Sequence, residues 1–134
     1  MSKNAERRRF PRYPLFVQGT AKMPANPGGQ SFAIATSDIS LGGMRLYCDD
    51  EMGTSLHLQN EVGIHLIDPE TGTPLSYKGK VVWRRKSVWN SPVLRPDQVN
   101  ILGQYTFGVE FIETDEQAIR KLHDPVSRLW GPLP

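Results

Sequence analysis

Apolar and polar residues alternate in short runs along most of this chain, and each run is soon closed by a turn signal. A period of two places successive side chains on opposite faces, so such runs read as half-buried β-strands. Leu15 to Lys22 sets Leu15, Val17 and Ala21 against Phe16, Gln18, Thr20 and Lys22. Pro24, Pro27, Gly28 and Gly29 mark the turn that follows. Ser31 to Thr36 reads as a second strand, and Met44 to Cys48 as a third with Met44, Leu46 and Cys48 facing inward. Leu56 to Leu58 and Val62 to Leu66 read as short strands, and Asp68-Pro69-Glu70-Thr71-Gly72 as a hairpin loop. Leu75 to Arg85 and Tyr105 to Ile112 complete the series. Many short strands with regular turns predict a small antiparallel barrel or sandwich.

The period changes near the end. Ile119, Leu122, Val126, Leu129 and Trp130 recur at helical spacing, and Thr114 followed by Gln117 resembles a capping box. An amphipathic helix packed on the barrel is expected, kinked or split near Asp124 by Pro125. A chain of 134 residues suits one domain with a single modest core. No apolar run approaches the ~20 residues that span a bilayer, and no apolar segment follows the charged N-terminus as in a secretory signal. The single cysteine, Cys48, forms no intrachain disulfide and lies in a strand pattern, so an inert buried thiol in a reducing, cytoplasmic setting is expected.

A net charge of +2 does not mark a general nucleic-acid binder. The distribution of charge says more. Arg7, Arg8, Arg9 and Arg12 crowd one stretch ahead of the first strand. Further on, Asp38-Ile39-Ser40-Leu41-Gly42-Gly43 forms a polar turn with adjacent glycines. A guanine-bearing phosphodiester suits the pair. Arginine forks match guanine O6/N7 and phosphate oxygens. An ionised aspartate accepts from the N–H groups on guanine's opposite edge. Serine can reach a phosphate oxygen, and glycine permits positive φ and close backbone approach. Catalysis finds less support: Ser40 has no indicated base, and no phosphate-loop motif or carboxylate pair stands out. His57, His65 and His123 lie on separate elements without ligands at zinc spacing, so hydrogen-bonded or exposed roles are expected and no metal site.

Together the two stretches resemble the PilZ domain, the bacterial receptor module for cyclic di-GMP. That family's RRxxR pattern matches Arg8, Arg9 and Arg12, and its DxSxxG pattern matches Asp38, Ser40 and Gly43. Val81-Val82-Trp83-Arg84 and Phe107-Gly108-Val109-Glu110-Phe111 look like the family's later strands, so the resemblance runs from about Arg7 to about Trp130. It implies a mainly β fold, a six- or seven-stranded antiparallel barrel with a C-terminal helix packed on it. It divides the chain into a flexible arginine-rich arm, residues 1–12, and a barrel with its helix, residues 13–134. The resemblance assigns Arg8, Arg9 and Arg12 to guanine and phosphate, Asp38 to a guanine edge, and Ser40, Gly42 and Gly43 to shaping and contacting the site. Arg7 and Trp83 are further candidates, Trp83 either as an apolar wall or in core packing. Arg84 and Arg85 are expected to be surface charges.

The implied role is a non-catalytic receptor whose arm orders on the ligand and whose altered surface a separate protein effector reads, with motility, pilus, exopolysaccharide or virulence outputs. No cofactor is expected beyond the ligand, cyclic di-GMP, and neither a nucleic-acid polymer nor membrane insertion. One rival is a ligand-independent adaptor of the same family. Another is a single-strand nucleic-acid barrel, which needs aromatic platforms along a basic groove, whereas the charges here sit on an arm. Lys86 to Gln104 is longer than most connections and mixes Trp89, Val93, Leu94, Ile101 and Leu102 with prolines. It reads either as a flap on its own barrel or as a homodimer or partner contact.

Overall fold

A computed structural model describes residues 10–23, 31–86 and 105–132. Its strands are β1 (Tyr13–Pro14), β2 (Gln18–Lys22), β3 (Ser31–Ile39), β4 (Gly43–Cys48), β5 (Glu61–Ile67), β6 (Pro74–Lys86) and β7 (Tyr105–Phe111). A short helix α1 (Asp50–Ser55) follows β4, and α2 (Glu116–Leu129) closes the chain. All pairings are antiparallel, in the order β3-β2-β5-β6-β7-β4, and β4 returns to β3 to close a six-stranded barrel. β1 is a seventh strand added to the far end of β3. Closure leaves few open edges and encloses Ala21, Ile34, Leu46, Val62, Ile64, Val81 and Phe107, all fully buried. The predicted inward set of Met44, Leu46 and Cys48 is observed.

Of the first predicted strand, Leu15 to Lys22, only Gln18–Lys22 is strand; Leu15 to Val17 form a gap between β1 and β2, while the two faces are as expected. Thr36 repairs the gap. Its hydroxyl accepts from the Val17 N–H at 2.8 Å and donates to the Leu15 carbonyl at 2.7 Å, fully buried. The second strand runs on to Ile39, because β1 and β4 continue to pair with it past Thr36. Asp38 is therefore a strand residue, and the turn is confined to Ser40–Gly42.

Leu56 to Leu58 is not a strand. Asp49 accepts from the Met52 N–H and starts α1, whose Met52 and C-cap Leu56 are fully buried, while Leu58 is exposed. At α2 the N-cap is Asp115, accepting from the Gln117 N–H at 2.9 Å. Thr114 instead ties to β6, accepting from the Lys78 N–H at 2.9 Å. The helix is not split at Pro125. Ile119, Leu122, His123 and Val126 pack on both sides of the proline, and Tyr77 donates to the Ala118 carbonyl at 2.6 Å, which together outweigh one lost helical hydrogen bond. Leu129, at the edge of the apolar stripe, and Trp130, the extended C-cap, are exposed rather than inward. Among the described residues no helix is long and apolar enough to cross a membrane. The turn at Pro24 to Gly29 and nearly all of Lys86 to Gln104 lie outside the described residues.

Candidate functional site

Register places the site. Pro14 pairs with Asp38, Asp38 with Arg45, Arg45 with Gly108 and Gly108 with Trp83, one lateral row across five strands. Met44, Leu46, Phe107 and Val109 beside this row point into the core, so by alternation the row lies on the outer face. A bulge between Val81 and Trp83 switches β6 so that Val81 faces in and Trp83 out. Trp83 is thus half-buried on the barrel's outside, not part of the core. It lies across Gly108, where a Cβ would come within 2.2 Å of the indole nitrogen.

Asp38 is 2% exposed, although it is on the outer face. Two guanidiniums cover it. Arg12 Nη1 lies 3.9 Å from Oδ2, and Arg45 Nε lies 3.5 Å from the same oxygen. Neither contact is a hydrogen bond, and Asp38 Oδ2 and Arg45 Nε are both buried without a hydrogen-bond partner. Such orphaned groups are costly, and they commonly mark places where function takes precedence over packing. Burial pushes the Asp38 carboxyl up, while Arg12 and a hydrogen bond from Ser37 pull it down. Arg45 also stands over Trp83, 5.3 Å from the ring centroid, with Arg85 at 5.8 Å.

Ser40 is engaged in its own turn. Its Oγ accepts from the N–H groups of Gly42 at 3.2 Å and Gly43 at 3.1 Å, and its N–H donates to the Gly43 carbonyl at 2.9 Å. The glycines are not needed here for positive φ, which among described glycines occurs only at Gly72. They allow close approach. A Cβ on Gly43 would meet the Val109 carbonyl at 2.1 Å, and one on Gly42 would meet the Phe10 ring at 2.9 Å. Phe10 thereby seats the start of the described chain beside the DxSxxG turn. Arg12 and Asp38 are brought together as the motif pairing requires. Arg7, Arg8 and Arg9 lie outside the described residues. Arg84 is more than a surface charge, since it donates to the Gly53 carbonyl and ties α1 to β6.

Sequence reasoning missed Arg45. Half of the signal was present: with Met44, Leu46 and Cys48 inward, Arg45 faces out, but only the strand register sets it beside Asp38. Elsewhere, Cys48 is fully buried and its thiol is pushed up to about 12 by that burial. His123 is buried against Asp124, at 2.9 Å, and edge-on to Tyr13. Among the described residues no cluster of three or more His, Cys, Asp or Glu could hold a metal ion.

The PilZ domain family model matches residues 6–126, and the chain belongs to the PilZ family. No curated protein matches it. Among solved structures it is similar to the PilZ domain of YcgR from Escherichia coli, solved with c-di-GMP (TM-score 0.63, 16% identity, 92% of this chain and 91% of that one). It is also similar to the motility inhibitor MotI/DgrA of Bacillus subtilis (TM-score 0.62, 15% identity, 92% of this chain and 50% of that one). A third likeness is to MrkH of K. pneumonia, in complex with c-di-GMP (TM-score 0.62, 16% identity, 90% and 51%). The chain spans about half the length of the last two proteins. At these identities the likeness establishes the fold.

Proposed function

We propose that this PilZ chain is a non-catalytic receptor for cyclic di-GMP, bound on the outer face around Asp38. The observation that carries the reading is a buried carboxylate oxygen without a hydrogen-bond partner, flanked by the last arginine of RRxxR and by Arg45, which stands over the half-buried Trp83. Two similar structures are c-di-GMP complexes, which supports the same ligand here. Arg12 covers Asp38 only loosely, at 3.9 Å and 41% exposed. A guanine that offers N–H donors to Asp38 displaces Arg12, which then turns its fork to phosphate or base together with Arg8 and Arg9. Trp83 supplies an apolar wall. Ser40 with Gly42 and Gly43 holds the turn, and its hydroxyl reaches phosphate by giving up a 3.3 Å bond to the Gly43 carbonyl.

In this reading residues 1–12 form the responsive arm and residues 13–134 the barrel and helix. Ligand binding orders the arm and remodels the surface that an effector reads, in the cytoplasm, with a motility, pilus, exopolysaccharide or virulence output. The adaptor reading draws on Leu129 and Trp130, 75% and 58% exposed at the end of α2. Calorimetric titration decides between them. Saturable heat with cyclic di-GMP and much weaker binding of cyclic di-AMP support the receptor. No heat with either supports the adaptor.

A further inference from the structure

We propose that Arg45 is a further ligand-contacting residue that reads guanine O6, forming with Asp38 a donor–acceptor pair matched to one edge of that base. The proposal rests on the cyclic di-GMP reading above. Guanine carries its N2 and N1 donors next to the O6 acceptor. A carboxylate that takes the two donors therefore places O6 beside whatever adjoins the carboxylate. Here that neighbour is Arg45, whose Nε lies 3.5 Å from Asp38 Oδ2.

The guanidinium is placed rather than floating. Arg45 rises from β4 between core residues Met44 and Leu46, and its register partners on either side are Asp38 and Gly108. Its guanidinium stands 5.3 Å from the Trp83 centroid. Its side chain is 32% exposed, and its Nε, turned to Asp38, is buried without a hydrogen-bond partner. The Nε edge of the fork is thus turned to Asp38, and the partly exposed guanidinium carries further N–H donors that can meet an acceptor. Arg12 arrives on the chain leading into the two-residue β1, whereas Arg45 stands within the closed barrel. When Arg12 leaves Asp38, Arg45 stays. Adenine presents an amino donor where guanine has O6, so Arg45 would then face a donor and select against it.

The test uses the full chain and three variants, with affinities for cyclic di-GMP measured by calorimetry and for cyclic di-AMP by competition. Arg45→Lys keeps a charge beside Asp38 but has no planar fork. It should weaken cyclic di-GMP about 5- to 150-fold, the range of one good base contact, and change cyclic di-AMP less than about 3-fold. Arg45→Gln should do the same if it folds, and its unfolding midpoint reports that separately. Arg85→Gln, near Trp83 but not paired with Asp38, should leave both affinities within about 3-fold. Wild-type affinity for cyclic di-GMP in Arg45→Lys overturns the inference and leaves the receptor reading standing. Equal losses for both dinucleotides place Arg45 on phosphate and also overturn it. If the unaltered protein binds neither, the receptor reading falls and this inference falls with it.

Discussion

Thr36 holds the strand that delivers Arg12 to Asp38, so Thr36→Val is a sharp test of how the fold builds the site. The substitution keeps the side chain's shape and removes the hydroxyl. Two buried main-chain groups, the Val17 N–H and the Leu15 carbonyl, then lose partners at 2.8 and 2.7 Å. Each buried polar group left unsatisfied costs about 1–3 kcal/mol, so the pair should cost about 2–6 kcal/mol. That is a large part of the ~5–15 kcal/mol that holds a domain together. Thr36→Ser keeps the hydroxyl and loses one methyl, worth about 1 kcal/mol. Urea unfolding followed by circular dichroism measures both. With a mid-range slope of about 2 kcal/mol per molar, the valine midpoint should fall by roughly 1–3 M and the serine midpoint by much less. Affinity for cyclic di-GMP should fall along with stability in the valine variant, because β1 and Arg12 lose their anchor. A valine variant as stable as the serine variant would refute the reasoning.

Arg12→Ala and Asp38→Ala should each weaken cyclic di-GMP roughly 10- to 150-fold by calorimetry with the barrel intact, the cost of one charge-assisted contact. Arg7→Ala should do much less, and mainly at low salt. Affinity should drop as pH falls through the Asp38 pKa, since the protonated carboxyl loses acceptor capacity, and Asp38→Asn should flatten that dependence. Burial raises this pKa above its unfolded value, so the folded state holds its proton to higher pH. Stability of the free protein contributed by Asp38 is therefore present below the unfolded pKa and lost as pH rises through the folded one, visible in unfolding midpoints measured against Asp38→Asn. Gly108→Ala should push Trp83 off the sheet, since the new Cβ falls 2.2 Å from its indole nitrogen, and should shift tryptophan fluorescence and weaken binding together.

Alternation carried most of the barrel. Leu15, Val17, Ala21, Met44, Leu46 and Cys48 face the core as their spacing requires, and the closed sheet follows from burying that face. What escaped was decided by long-range pairing. Asp38 looked like part of a Ser-Gly turn, yet β1 and β4 hold it in a strand. Trp83 could not be assigned a face, because the bulge that turns it outward leaves no mark in a local pattern. Leu56 to Leu58 read as strand because three residues hold too little periodicity. Asp49 and Asp115, both N-caps, were the local signals passed over. The motif pairing of Arg12 with Asp38 was legible. Arg45 became visible only when register set it beside them.

The most direct test of the account is an amide NMR titration of the full chain with cyclic di-GMP. Saturable shifts are expected at Arg12, Asp38 to Gly43, Arg45 and Trp83, with signals of residues 1–12 becoming more protected and more rigid in the bound state. Residues of the groove on the β2–β5–β6 side, Gly19, Thr20, His65 and Ser76, should stay in place. Shifts confined to that groove, or an arm already as protected without ligand as with it, would contradict the account.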